Sequence, residues 1–263
     1  MEYTVFYSWQ FDLPSKSNRK IIKEALESAI NRVSKNISIE SSPRLDHDTK
    51  DVSGTPDISG TIFEKIRKCG LFVADVSFIG STNQTDGNKN NKLLPNPNVL
   101  LELGYAASSI GWERIVLVMN ENYGKPEELI FDLKNRRFPV TYKYDATTDK
   151  KSYEEVLSNL SDSLEERILL AVREENSAVQ FAITKLSMNC LYLIDKHSTT
   201  EGFKVGSLDR EKVHYDSQIV LDYLAIDKLM ELGLIKLIEF SHDSYYQYNW
   251  TYLGRLVIDK VKS

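Results

Sequence analysis

The run Leu71-Phe72-Val73-Ala74-Asp75-Val76-Ser77 is apolar for most of its length, without alternation between inward and outward residues. A strand apolar in both directions has to be covered on both faces, as in the middle of a parallel α/β sheet. Arg114-Ile115-Val116-Leu117-Val118-Met119 reads as another central strand, Tyr3–Tyr7 as a first strand and Pro139–Tyr144 as an edge strand. Ile37–Ile39 is a weak second strand. Helical patterns lie between them. From Ser15 to Lys35, residues Ile21, Ile22, Ala25, Leu26, Ala29, Ile30 and Val33 form one stripe. Asp57 can cap a helix that runs through Cys69, with Ile58, Ile62, Phe63 and Ile66 inward. Further helices are predicted from Pro97 to Ile110 and from Tyr153 to about Arg173, with a short helix or turn at Pro126–Asp132. Two polar stretches, Arg44–Pro56 and Phe78–Pro95, read as loops, the second expected to be mobile.

This alternation predicts a doubly wound α/β sheet over residues 1–175. It also confines chemistry to the segments after Tyr7, Ser77 and Met119, because open α/β sheets bind ligands at the carboxyl ends of their strands.

Residues 176–263 change character. Ala178–His197 and Ser217–Leu232 read as helices, with a short segment near Ser207–Val213 between them. Leu234–Phe240 and Tyr245–Trp250 form a hairpin around Ser241-His242-Asp243-Ser244, and Thr251–Lys262 is a last helix. Helices followed by a two-stranded wing predict a small α+β winged-helix-like domain. Many such domains bind DNA, but this segment carries 10 Lys/Arg against 11 Asp/Glu. Its candidate recognition helix holds Asp222, Asp227 and Glu231 against Lys228. A surface that approaches phosphates is normally basic, so the expectation is dimerisation or partner docking, without DNA binding.

With 263 residues, 41% hydrophobic and 27% charged, the chain has ample material for a core. The net charge of −5 argues against a general binder of nucleic acid or anionic membrane. Cys69 and Cys190 lie far apart in apolar helical patterns and read as buried free thiols in a reducing compartment. There is no signal-peptide pattern and no run of about 18 apolar residues, so a cytoplasmic protein without a membrane span is expected.

The most informative segment for chemistry is Asn96-Pro97-Asn98-Val99-Leu100-Leu101-Glu102-Leu103-Gly104. It sets one carboxylate, Glu102, in the first turns of an otherwise apolar helix at the carboxyl edge of the sheet. Catalysis, ligand binding without turnover and a structural role at the helix start are all open for it. Ser8, Trp9 and Gln10 follow the first strand, where a turn can meet phosphate or ribose and Trp9 can stack on a base; a plain loop with Trp9 in the core is the alternative. Asp75 either binds a ribose hydroxyl or orients its loop, and Asn96 and Asn98 either cap the helix or contact ligand. Arg44, Asp46, His47 and Asp48 form a charged cluster. Two carboxylates and a histidine do not make a closed metal-ligand set, which leaves nucleotide contact or a solvated loop.

Phe6-Tyr7-Ser8-Trp9-Gln10, Asp46-His47-Asp48-Thr49-Lys50, Pro56-Asp57-Ile58, Val73-Ala74-Asp75-Val76-Ser77 and the Asn96–Gly104 segment together resemble bacterial TIR-like nucleotide-binding proteins. The resemblance covers roughly residues 1–145 and implies a flavodoxin-like sheet related to that of nucleoside 2-deoxyribosyltransferases. It implies cleavage of an N-glycosidic bond. In TIR enzymes the substrate is NAD and the catalytic residue is a Glu on a helix after a central strand, the position of Glu102. It further implies a role in antiphage defence and self-association to complete the pocket, with an activating protein or signal. Asp132, Arg136 and Arg137 resemble a Phe-Asp-Leu…Arg-Arg segment of the family, where an arginine can pair with pyrophosphate; a salt bridge to Asp132 is the alternative.

The expected function is therefore NAD glycohydrolysis with no separate cofactor and no metal. The alternatives are a nucleoside or nucleotide N-glycosidase, a deoxyribosyltransferase-like enzyme, or a non-catalytic nucleotide sensor. The sequence has no Gly-x-Gly-x-x-Gly after its first strand, no Walker loop and no Gly-x-Ser-x-Gly elbow. His197, His214 and His242 stand isolated and read as surface or packing residues.

Overall fold

The computed structural model describes residues 3–36, 43–46, 58–82, 92–136, 138–147, 149–206, 217–241 and 245–263. The chain forms two compact units, Glu2–Val172 and Arg173–Ser263.

Up to Lys185 the elements run β1 (Thr4–Ser8), α1 (Arg19–Asn36), β2 (Arg44–Asp46), α2 (Ile58–Lys68), β3 (Leu71–Asp75), β4 (Phe78–Ser81), β5 (Leu93–Pro95), α3 (Pro97–Ser109), β6 (Ile115–Asn120), α4 (Phe131–Lys134), β7 (Val140–Tyr142) and α5 (Lys150–Lys185), whose last residues belong to the second unit. Five strands form one sheet in the order β2-β1-β3-β6-β7, and every pairing is parallel. Side chains leave a strand alternately to opposite faces. Val5, Tyr7, Leu71, Val73 and Val118 pack against the α1 stripe and against Leu160, Leu164 and Ile168 of α5. Phe6, Phe72, Ala74, Leu117 and Met119 point the other way, onto Ile66 of α2, Val99 and Leu103 of α3, and Leu133 of α4. Helices therefore cover both faces, which is why the central strands carry apolar residues at consecutive positions.

Three expectations change. Arg44–Asp46, expected as loop, is the edge strand β2, whose Leu45 pairs with Val5; Ile37–Ile39 lies outside the described residues. Three residues are too few to show a period, and their pairing to β1 supplies what composition does not. The ends of the expected loop Phe78–Pro95 pair as antiparallel strands, Gly80 with Leu94 and Ser81 with Leu93. The break expected near residues 174–177 is absent, and α5 continues to Lys185. Glu174-Glu175-Asn176-Ser177 interrupts the apolar period but contains no helix breaker. The helix instead stops where Ser187 caps the next one, its hydroxyl accepting from Cys190 N at 3.2 Å.

The second unit contains α6 (Met188–His197), β8 (Gly202–Gly206), α7 (Ser217–Glu231), β9 (Ile235–Ser241), β10 (Tyr245–Trp250) and α8 (Tyr252–Lys262). Its sheet is antiparallel in the order β8-β10-β9. The expected two-stranded wing thus has a third strand. The short β8, bounded by glycines, gave no alternation to read. The core gathers Leu193, Phe203, Ile226, Leu229, Trp250 and Val257. Trp250 keeps its indole satisfied by donating to His197 O at 3.1 Å. The segment expected near Ser207–Val213 and residues 242–244 of the turn lie outside the described residues. No helix among the described residues is long and apolar enough to cross a membrane.

Candidate active site

β1 and β3 are neighbours, but the chain leaving β1 turns back to β2 on the other side. Adjacent loops part at such a switch point and leave a crevice above the strand ends. A cleft of ≈ 320 Å³ lies above the end of β1. Its walls include Ser8, Trp9 and Gln10 from the end of β1 and the loop that follows, and Asn96, Asn98 and Glu102 at the start of α3. Six of the residues singled out in the sequence are therefore brought together.

The start of α3 is fixed by local chemistry. Asn96 takes an extended backbone, and its side-chain oxygen accepts from Asn98 N at 2.8 Å and Val99 N at 3.1 Å. Pro97, which has no N–H to lose, takes the first helical position. The Asn96 amide donates to Asp12 Oδ2 at 2.7 Å, so one side chain both caps the helix and ties it to the loop after β1. Asn98 and Glu102 are four residues apart and share one face of the helix. Glu102, half-buried, accepts a hydrogen bond from Ser8 Oγ at 2.5 Å. The donor is almost fully buried at 2% exposure.

Beneath the cleft lies a buried polar network. Asp75 is 0% exposed. Its carboxylate accepts from Gln10 Nε2 at 3.4 Å, Asn18 Nδ2 at 3.3 Å and Ser77 N at 3.1 Å. Burial pushes its carboxyl above the usual range, opposed by the hydrogen bonds from Ser77, Asn18 and Gln10. The other end of Gln10 accepts from Leu13 N at 2.9 Å, so Asp75 holds the loop that carries Trp9 and Asp12. Asn120 is equally buried. Its Nδ2 donates to Ser17 O at 3.0 Å and Tyr144 O at 2.8 Å, and its Oδ1 accepts from Tyr144 N at 3.2 Å and Asn122 N at 3.1 Å.

The remaining sequence candidates sit elsewhere. Arg44 and Asp46 line a separate cavity of ≈ 630 Å³ between β2 and α2. There Asp46 pairs with Lys65 at 2.9 Å. The Arg136 guanidinium stacks on Trp112, 4.4 Å from the ring centre. His47, Asp48 and Arg137 lie outside the described residues.

The structure adds members that sequence reasoning missed. Phe11, Asp12 and Ile62 also line the cleft. Arg19, the first residue of α1, lies over Trp9 at 4.6 Å and over Phe11 at 5.0 Å. Asp12 was within reach of sequence reading, since it stands in the same strand-to-helix loop as Trp9. Arg19 was not, because its stacking depends on how that loop folds back.

No family model matches this chain, and no curated protein matches it. The chemistry of the site therefore rests on its own geometry. A polar-rimmed cleft with an aromatic wall, one clamped carboxylate and a second carboxylate at the rim can hold a sugar and stabilise positive charge that develops on it.

Proposed function

We propose that this protein is an N-glycosidic bond hydrolase that cleaves NAD between nicotinamide and ribose, with Glu102 as the catalytic carboxylate. The observation that carries the reading is the hydrogen bond from Ser8 to Glu102, which holds one carboxylate inside the cleft at the switch point. Breaking the C1′–N bond builds oxocarbenium character on the ribose, as in glycoside hydrolysis. A fixed carboxylate stabilises that charge with little reorganisation. Nicotinamide departs as a neutral base with the bonding electron pair. Water adds to C1′ and loses a proton, giving ADP-ribose. The departing base needs no strong general acid, which fits a site built around one clamped carboxylate.

The strand order β2-β1-β3-β6-β7 agrees with a flavodoxin-like arrangement and supports the proposed kinship with TIR-like proteins. The second unit, read as winged-helix-like, serves in this proposal as a docking element. On α7 the exposed large side chains are Leu221, Leu224 and Met230, which suit a protein partner better than phosphate. Assembly or an activating partner would then switch on a cytoplasmic effector of antiphage defence.

A second reading keeps the site and changes the substrate. At ≈ 320 Å³ the cleft is at the small end for ligand sites and suits one nucleoside better than a whole dinucleotide. That favours a nucleoside or nucleotide N-glycosidase, or a deoxyribosyltransferase-like enzyme.

The test is incubation of concentrated protein with NAD beside the Glu102→Gln variant, with products separated by chromatography. Nicotinamide and ADP-ribose formed by the parent and lost in the variant support the proposal. Turnover retained in the variant overturns the role of Glu102. Release of purine or pyrimidine from nucleosides, with NAD intact, moves the assignment to the second reading. Ligand-dependent stabilisation without turnover moves it to a nucleotide sensor.

A further inference from the structure

We propose that Arg19 is the phosphate-recognising residue of this cleft, so that the site selects nucleotides over nucleosides. The inference deepens the proposed function by naming the substrate feature that is read.

The argument starts from charge. The cleft presents two carboxylates, Glu102 and Asp12. A phosphate-bearing substrate entering between them meets repulsion unless a cation stands near its path. Arg19 does not itself line the cleft, but it stands against two residues that do. Its guanidinium lies 4.6 Å from the Trp9 ring centre and 5.0 Å from that of Phe11, and both rings line the cleft.

The two rings meet edge to face at 4.2 Å and 75°, forming a corner that holds the guanidinium. Contact with the rings uses no N–H donor, so the five donors of the guanidinium are not spent on the aromatic corner. Among the described residues the Arg19 side chain makes no ion pair and no hydrogen bond. Its neighbours contrast with it: Lys20 pairs with Glu24 at 3.7 Å, and Lys16 reaches Ala146 O at 3.4 Å. A guanidinium already ordered by two aromatic rings loses little freedom when it takes up a phosphate in bidentate fashion.

Phe11 supports the same reading. It is 77% exposed and meets Trp9 edge to face at 4.2 Å. Its contacts are with Trp9 and Arg19, so it covers the cation and extends the aromatic wall beyond the small cleft. The part of a nucleotide that the cleft cannot enclose would leave across this corner.

The experiment measures binding by calorimetry on the full chain and on Arg19→Gln, Arg19→Lys and Phe11→Ala. The probes are ADP-ribose, which carries a pyrophosphate, and nicotinamide riboside, which carries none. The parent is expected to prefer ADP-ribose, and Arg19→Gln to weaken that ligand roughly ten- to a hundredfold while leaving the riboside unchanged. Arg19→Lys, which keeps the charge but not the flat fork, is expected to fall in between, and Phe11→Ala to weaken ADP-ribose severalfold. Equal weakening of both probes by Arg19→Gln, no weakening of either, or no ADP-ribose binding by the parent overturns the proposal. Nicotinamide release is scored separately. Selective phosphate binding without release defeats the hydrolase reading and leaves Arg19 in its role, whereas release with no dependence on Arg19 does the reverse.

Discussion

Ser8 Oγ donates to Glu102 Oε2 across 2.5 Å, so two residues 94 positions apart meet where β1 ends and α3 begins. Neither residue alone explains the arrangement. The strand end fixes the donor, the Asn96 cap fixes the helix, and the bond between them fixes the angle at which the carboxylate faces the cleft.

Removing the donor should therefore loosen the carboxylate without deleting it. On the proposed NAD cleavage, Ser8→Ala is expected to lower the rate of nicotinamide release roughly ten- to a hundredfold, mainly in kcat, while Glu102→Gln lowers it further. Steady-state kinetics on both variants checks this. A Ser8→Ala enzyme at the parent rate would mean that the hydrogen bond does not orient the group that reacts.

Asp75 gives a pH dependence with a definite sign. Burial holds its folded-state value above the ordinary 3.8. A raised carboxylate binds its proton more readily in the folded than in the unfolded state. Its contribution to stability is thus full below 3.8 and is lost as pH rises through the higher folded value. Relative to Asp75→Asn, the parent should lose stability as pH rises across that window. Urea denaturation at a series of pH values reads the difference, and parallel curves for the two proteins would contradict it.

Two glycines should respond oppositely to alanine. In α8 a Cβ on Gly254 would stand 2.0 Å from the carbonyl oxygen of Leu234, which is backbone and cannot rotate away. Gly254→Ala is expected to destabilise the second unit by about 1–3 kcal/mol or more. Gly104, on α3, has nothing beyond its own stretch of helix within 4 Å of such a Cβ, and Gly104→Ala should stabilise the first unit by about 0.4–1 kcal/mol. Hydrogen exchange separates the two effects. Gly254→Ala should lose protection in β9 and α8, and β1, β3 and β6 should keep theirs.

The thiols should be silent in the native protein. Cys69 and Cys190 are both 0% exposed, and burial pushes the Cys69 thiol up to about 12. A thiolate reagent should label neither until denaturant is added. Labelling of Cys69 at the rate of a free thiol would show that the α2–β3 junction opens readily.

Sequence pattern reached the elements that carry a period. The continuous run at Leu71–Ser77 and the stripe from Ile21 to Val33 each declare a buried strand or a one-sided helix, and both occur where expected. It missed elements whose formation is decided by a partner. β2 has three residues and owes its existence to β1, and β8 is a five-residue strand completed by β10. It extended one helix too little, because Glu174 to Ser177 breaks the apolar rhythm and not the backbone. The cleft followed the same division. Ser8, Trp9, Gln10, Asn96, Asn98 and Glu102 were found because each stands at a strand end or helix start, where the topology sends ligands. Asp12 stands in the same loop as Trp9 and was legible there without being singled out, whereas Arg19 escaped because its place arises from contact with two aromatic rings across the folded loop.

The side chain of Asn120 joins the carboxyl end of β6, the turn before α1 and the residues after β7 by buried hydrogen bonds, and none of these residues lines the cleft. That placement separates two kinds of evolutionary change. Residues at the rim, such as Phe11 and Asn98, can drift to suit a new substrate while the floor on which they stand keeps its geometry. Drift at Asn120 itself would unsettle three segments together. A lineage built on this platform can diversify its chemistry one loop at a time, and an engineer seeking new specificity would begin with the same loops.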